Sequence, residues 1–312
     1  MNGTTRREFL IQGAGTAAGV LLLPSLAGAV STQPSVKFPA NPRERVAIAS
    51  YPFREFIAGG EHKSGNPTIE LKDFAAHVVE KFKVHRIEPW TGHFPDPTPK
   101  YLAEFRSSVE KANAGIANIA VDGDNSPYAV DRAEREKAIA YSKQWIDVAV
   151  AIASPSVRTN IAPAKDSKPD LQRLTESLNR VVEYAAGKNV VVHLENDNPN
   201  SEDPFFLAQV IDKVNSPWLH ALPDFGNTVN AHEADYAYRG IDAMFAHAYG
   251  ICHVKDGEAN AQGKMSHVDL PRTFEILKKH GYQGYCSIEY DTAGEPYKPT
   301  ADLVNQTISF LA

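Results

Sequence analysis

From Arg45 onward the chain alternates two patterns. Short apolar, β-branched runs, which mark strands buried on both faces, are followed by longer stretches with apolar residues at helical spacing. Eight such pairs occur. The strand-like runs are 46–53, 85–90, 115–121, 156–160, 190–195, 220–224, 250–254 and 285–290. After the first run, Leu71, Phe74, Ala75, Val78 and Val79 share one helical face, and after the fourth Leu174, Leu178, Val181, Val182 and Ala185 do the same. Asp203-Pro204 and Asp269-Leu270-Pro271 are helix openers, and Gly187 and Gly281 helix closers. Eight βα pairs predict an α/β protein, a single (β/α)8 barrel over residues 45–312, rather than a doubly wound open sheet. No second domain, low-complexity segment or short repeat interrupts it.

A barrel of this kind keeps its chemistry at the carboxyl ends of its strands. The fifth run ends in His193-Leu194-Glu195-Asn196-Asp197, where period two places His193, Glu195 and Asp197 on one face. The sixth delivers Asp224, the seventh His253 and the eighth Glu289. Singly, each is better explained by an ion pair or a hydrogen-bonded core histidine. Together, four consecutive strands converge three carboxylates and one imidazole. Carboxylates so crowded raise one another's pKa unless a cation lies among them. Glu195, Asp224, His253 and Glu289 are therefore expected to hold one divalent metal ion. Oxygen-rich donors with one imidazole suit Mn2+ best, with Mg2+, Co2+ or Zn2+ as alternatives.

His193 and Lys255 each sit two positions from an expected ligand on the same face, so both are expected to contact substrate. Arg158, Glu88 and Trp90 either bind hydroxyls or pair with one another. Tyr51 and Phe53 either wall a sugar ring or belong to the core.

Composition narrows the class. Among 312 residues, 43% are hydrophobic and 22% charged, which suits one large soluble domain or two small ones. A net charge of −6 provides no electrostatic footprint for nucleic acid. The first thirty residues differ in kind. Thr5-Arg6-Arg7-Glu8-Phe9-Leu10 precedes an apolar run over 13–26 and then Ala27-Gly28-Ala29. This resembles a twin-arginine export signal, with Ile11 where a lysine is common. The run is too short and too rich in glycine and alanine to span a bilayer comfortably. Residues 1–29 are thus expected to be a signal peptide and 30–44 a linker, leaving a periplasmic or secreted protein with no membrane attachment. Export of a folded chain would let manganese load before zinc or copper could compete. Cys252 and Cys286 flank inward-facing positions and are expected to be buried free thiols, with a disulfide as the alternative in an oxidising compartment.

Leu194-Glu195-Asn196, Asp224-Phe225-Gly226-Asn227, His253-Val254-Lys255-Asp256 and Gly281-Tyr282-Gln283-Gly284 leading into Ser287-Ile288-Glu289-Tyr290 carry a resemblance. Over about residues 45–312 the chain resembles the xylose-isomerase-like barrels, a family that includes ketose 3-epimerases, hydroxypyruvate isomerases and inosose dehydratases. The resemblance implies one divalent metal on Glu195, Asp224, His253 and Glu289, with the two glutamates as acid and base on opposite faces of the substrate. A metal chelated by a ketone oxygen and the neighbouring hydroxyl would polarise the carbonyl and stabilise an enediolate. Returning the proton gives epimerisation or isomerisation, and losing a β-hydroxyl gives elimination. Two departures bear on that choice. Asn227 stands where ketose 3-epimerases tend to have histidine, and Lys255, Asp256 and Glu258 follow where they tend to have arginine. That pattern is similar to the dehydratase branch.

The expected activity is a metal-dependent isomerase or epimerase of an uncharged sugar, keto-sugar or cyclitol, with a metal-dependent lyase as the alternative. Asp256, Glu258, Asp291 and Glu295 in the last two loops would repel a phosphate dianion. The partner is a small-molecule sugar rather than nucleic acid, and a homo-oligomer is left open. Endonuclease-IV-like repair enzymes share the barrel, but a histidine-rich multi-zinc site and a basic groove are missing from this acidic chain. A non-catalytic sugar-binding barrel should have lost a ligand, and all four are present.

Overall fold

Residues 33–59, 68–259, 263–291 and 295–312 are described by the structure, a computed structural model. The expected signal peptide lies outside the described residues. The strands are β1 (Val46–Ala49), β2 (Arg86–Glu88), β3 (Gly115–Ile116), β4 (Ile119–Val121), β5 (Ser156–Thr159), β6 (Val191–Glu195), β7 (Leu219–Leu222), β8 (Ile251–Val254), β9 (Gly257–Ala259), β10 (Met265–His267) and β11 (Tyr285–Ile288). Two parallel ladders, β3-β2-β1-β11-β8 and β4-β5-β6-β7, supply the staves. Val46 pairs with Cys286, so the last stave lies beside the first. Isolated bridges join the ladders at both seams, Trp90 with Ala120 on one side and Ala221 with Ala248 and Asp224 with His253 on the other. The result is the expected (β/α)8 barrel, with β9 and β10 added as an antiparallel pair after the seventh stave.

The helices are α1 (Phe74–Phe82), α2 (Pro99–Lys111), α3 (Arg132–Ile152), α4 (Leu171–Lys188), α5 (Pro204–Val214), α6 (Asn227–Ala231), α7 (Ala234–Phe245), α8 (Leu270–Lys279) and α9 (Tyr297–Leu311). Their start signals act as the sequence predicts. Asp203 Oδ1 accepts from the amides of Phe205 and Phe206, both at 3.0 Å, and Asp269 Oδ1 accepts from Arg272 N at 3.1 Å. Gly281 closes α8 in the left-handed region, φ 63°. Gly187 does not close α4. The helix runs on to Lys188, and Asn189 takes the left-handed turn at φ 55°, which a short amide side chain tolerates.

All eight strands are shorter than their patterns, two of them for a visible local reason. The first stops at Ala49 because Pro52 has no amide to donate, and Tyr51–Phe53 forms a 3-10 turn instead. The third breaks between β3 and β4, where Asn118 turns into the barrel and donates its amide to Glu88 Oε1 at 2.7 Å.

That turn sends Tyr51 and Phe53 opposite ways. Phe53 is fully buried between barrel and outer helices, its ring 5.5 Å from Phe74 and 5.4 Å from Tyr297. Full burial of such a ring stabilises by about 1.5–3 kcal/mol, enough to hold it in the core. Phe53 is therefore not a cavity wall. Cys252 and Cys286 are buried free thiols on paired strands, with Sγ atoms 3.7 Å apart.

Candidate active site at the carboxyl ends of the strands

The fifth to eighth staves place their polar ends as expected. Glu195 ends β6, Asp224 follows β7, His253 lies in β8 and Glu289 follows β11. All four are buried, and one ligand atom from each lies within 4.8 Å of the others. His253 Nδ1 faces the cluster, 2.7 Å from Glu195 Oε1, 3.1 Å from Glu289 Oε2 and 3.6 Å from Asp224 Oδ2. Its other nitrogen, Nε2, is 3.0 Å from Glu88 Oε2. A proton on Nε2 donated to Glu88 leaves Nδ1 as the lone-pair donor, the tautomer that metal ligation requires.

Asp224 gives the sharpest test of whether a cation fits. Its Oδ1 accepts from the amides of Gly226 and Asn227 at 2.8 and 2.7 Å. Its Oδ2 is buried, has no hydrogen-bond partner among the described residues, and points into the cluster. A buried carboxylate oxygen with no hydrogen bond, its cationic neighbours Lys255 Nζ and His253 Nδ1 standing off at 3.4 and 3.6 Å, is costly, and a divalent ion would satisfy it. The residues fit one such ion, and this three-oxygen, one-nitrogen donor set suits a hard to borderline metal.

Charge explains the proton affinities. Burial pushes the Glu195 carboxyl up to about 7, against the pull of His253 and Arg158. Burial also raises Glu289, but the charges of His253 and Lys255 outweigh it and hold that carboxyl below the usual range. Burial disfavours a charged His253, yet Glu289, Glu88 and Glu195 together hold its pKa well above the ordinary imidazole value. Imidazolium and a bound divalent ion are alternative ways of neutralising the same carboxylates, so metal binding should release a proton.

Above the cluster opens a 210 Å³ cavity lined by Tyr51, Trp90, Asp122, Arg158, Glu195, Asp197, Asn227, Lys255, Glu258, Glu289 and Asp291. Six of those lining residues are carboxylates and two, Arg158 and Lys255, are cations. Lys255 Nζ is 3.4 Å from Asp224 Oδ2, 3.3 Å from Glu289 Oε2, 3.1 Å from Glu258 Oε2 and 2.9 Å from Asn227 Oδ1. Arg158 Nε is 2.9 Å from Glu195 Oε2. Trp90 and Tyr51 meet edge to face at 5.3 Å and form the aromatic wall.

Two expected contact residues lie elsewhere. His193 faces inward like Glu195, but two residues lower along the strand is about 6.6 Å deeper. It is fully buried, at the level of Arg158 and His220, with neither ring nitrogen hydrogen-bonded among the described residues. Its ring abuts Gly250, where an added Cβ would come within 2.7 Å. Glu88 is also fully buried beneath the cavity, where it holds His253 and Asn118 rather than a hydroxyl or Arg158. Asp122, Asp197 and Asn227 line the cavity without having been singled out as site residues. For Asp122 and Asp197 the signal was available, since both follow the carboxyl end of a predicted strand.

Fold and cluster together define a parallel (β/α)8 barrel with a buried carboxylate–histidine site at the end where such barrels do chemistry. The profile of the xylose isomerase-like TIM barrel family matches residues 74–312, and the chain belongs to that family. No curated protein matches the sequence. Among solved structures, a xylose isomerase-like TIM barrel protein from Mycobacterium smegmatis in complex with magnesium is similar at 17% identity and TM-score 0.65, covering 86% of this chain and 97% of that one. A D-allulose 3-epimerase from Methylomonas sp. is 15% identical with TM-score 0.65, covering 87% and 100%. The 3-keto-D-glucoside 4-epimerase YcjR from E. coli is 14% identical with TM-score 0.64, covering 85% and 99%.

Proposed function

We propose that this protein is a divalent-metal-dependent isomerase or epimerase of an uncharged sugar, keto-sugar or cyclitol. The observation that carries the reading is the pairing of Glu195 and Glu289. They approach one point from different staves, and each is held by its own cation, Arg158 for one and Lys255 for the other. Two carboxylates kept in different environments at one point are what proton removal and return require. An ion held by Glu195, Asp224, His253 and Glu289 would draw electron density from substrate oxygens and acidify the neighbouring C–H. Trp90 and Tyr51 would stack on the substrate's carbon face, while Arg158, Asn227 and Lys255 would take its hydroxyls.

The carboxylate-rich lining argues against a phosphorylated sugar. The cavity is smaller than the roughly 300–1,000 Å³ of pockets for drug-sized ligands, and suits one sugar unit. The D-allulose and 3-keto-D-glucoside epimerases among the structural neighbours support the sugar class. Mn2+ is the ion we propose, and export through the twin-arginine-type leader completes the reading; fractionation of the expressing cells tests the latter.

Lys255 supports a second outcome. A buried ammonium beside Glu289 would stabilise a departing hydroxyl, which would make the protein a lyase of the same substrates. Solvent deuterium incorporation into free ketoses, 3-keto-glycosides and inososes, followed for isomer and dehydration products, separates the two. Glu289→Gln should abolish exchange while circular dichroism stays native. A metal-loaded wild-type protein that exchanges no α-proton in the whole panel would overturn the enzyme reading.

A further inference from the structure

Asp122 follows β4 and borders the cavity with its side chain 41% exposed. Its carboxylate is nevertheless fully engaged. Oδ2 accepts the Trp90 indole N–H at 2.5 Å, and Oδ1 accepts a very short hydrogen bond from Arg158 Nη1. Its backbone is also tied, with Asp122 N donating to Thr91 Oγ1 at 3.1 Å and its carbonyl accepting from the Tyr141 hydroxyl at 2.9 Å. Arg158 Nη1 donates in addition to the Val121 carbonyl at 3.1 Å. With that end fixed, the guanidinium's Nε reaches Glu195 Oε2 as an ion pair, and Glu195 Oε1 turns to His253.

We propose that Asp122 is a positioning residue for both halves of the site. Through Arg158 it sets which oxygen of Glu195 faces the reacting centre, and through Trp90 it sets the plane of the aromatic wall. The proposal rests on the reading of Glu195 as a proton-moving group and of the cavity as a sugar site. An exposed aspartate–arginine pair alone would add little, typically 0–1 kcal/mol. Here Arg158 is almost wholly buried, so its charge has no water to replace Asp122, and an anchored guanidinium has few rotamers left. A planar carboxylate engaged on both oxygens couples two side chains from different staves, β5 and the end of β2.

Asp122→Asn keeps the shape, but its single acceptor oxygen can serve Arg158 or Trp90 and not both, while its amide nitrogen faces the other donor. Three readouts test the idea. Tryptophan emission should change in Asp122→Asn and fail to change when the same substitution is made in a Trp90→Phe background. Mn2+ affinity by calorimetry should fall about tenfold, the scale of losing a partner that orients a ligand. In the exchange assay kcat should fall about 10–100-fold, and the same substitution should add little once Arg158 is already lysine, because the effect passes through Arg158. Trp90→Phe alone should raise KM more than it lowers kcat. Wild-type emission together with wild-type Mn2+ affinity in Asp122→Asn overturns the proposal. If the wild-type protein exchanges no proton in any sugar, the functional reading fails, and the emission and metal arms still decide the positioning role.

Discussion

Glu88 Oε2 lies 3.0 Å from His253 Nε2, and both side chains are completely buried. Burial pushes the Glu88 carboxyl up, but the charge and hydrogen bond of His253 outweigh it and bring its pKa below the usual value. The pair commits one imidazole nitrogen and aims the other at Glu195, Asp224 and Glu289. Glu88→Gln should therefore weaken Mn2+ binding about 10–100-fold, because an outer carboxylate both orients the ring and raises its basicity. Titration calorimetry on the folded variant checks this. An unchanged affinity would return Glu88 to a purely structural part.

Thermal melts should report the metal without any substrate. An ion bound only by the folded chain at a hundred times its dissociation constant adds about 2.7 kcal/mol. For a chain larger than 250 residues that is about 5 °C in Tm, at roughly 2 °C per kcal/mol or slightly less. EDTA should lower Tm by that amount, and Mn2+ should restore it. Asp224→Asn, which replaces an oxygen that makes no hydrogen bond among the described residues and faces the cluster, should erase the shift.

His193 offers a contrast with its neighbour on the strand. Both ring nitrogens are buried without a hydrogen bond among the described residues, a cost of about 1–3 kcal/mol for each group left unsatisfied. His193→Leu should then lie within about 1 kcal/mol of wild type or be more stable in urea denaturation, because the polar cost disappears as the shape is roughly kept. KM should not move, since the ring is a level below the cavity. A loss greater than about 2 kcal/mol would mean that a water satisfies the ring.

The contrast also shows what was readable in the chain. Period two said correctly that His193 and Glu195 face the same way, and the order of strands identified Glu195, Asp224, His253 and Glu289 as neighbours. Facing is a local property, set by the pleat. Depth is not, because it depends on strand tilt and on where each stave starts relative to the next. That is why His193 and Glu88 were expected in the cavity and lie beneath it. Phe53 was lost differently: Pro52 turned the chain before the strand pattern ended, which rotated one aromatic into the core and left Tyr51 at the wall. Asp122 was legible as a polar residue at a strand end, but its role comes from Trp90 and Arg158, which approach it from separate staves.

The phosphate argument can be tested by the substrate alone. Asp122, Asp197, Glu258 and Asp291 surround the approach to the cluster, and Arg158 and Lys255 are already committed to Glu195 and Glu289. A phosphate dianion would have to displace those pairs, or Arg54 from Asp291 at 2.8 Å, to gain a cationic side chain. Free ketoses should be processed at least tenfold more efficiently, by kcat/KM, than their phosphate esters, a difference of about 1.4 kcal/mol in transition-state binding. Faster turnover of the esters would show that the lining rearranges around an anion.

Glu202 is expected to make stability depend on pH away from the cluster. Both oxygens accept backbone amides, from Ile161 at 2.5 Å and from Asn198 at 2.8 Å. Even so, burial and the nearby charge of Asp197 push its carboxyl up to about 8. A folded pKa above the unfolded value of about 4.5 means that the native chain binds more protons than the unfolded one between those two pH values. The contribution of this group is fully present below about pH 4.5 and is lost progressively as pH rises toward 8. Glu202→Gln imitates the neutral acid and removes the titration. Across pH 5–8 the wild-type protein should lose unfolding free energy relative to the variant, so that the difference between their urea midpoints shifts in favour of Glu202→Gln as pH rises. Parallel midpoints over the whole range would mean that the two amide hydrogen bonds keep Glu202 ionised throughout.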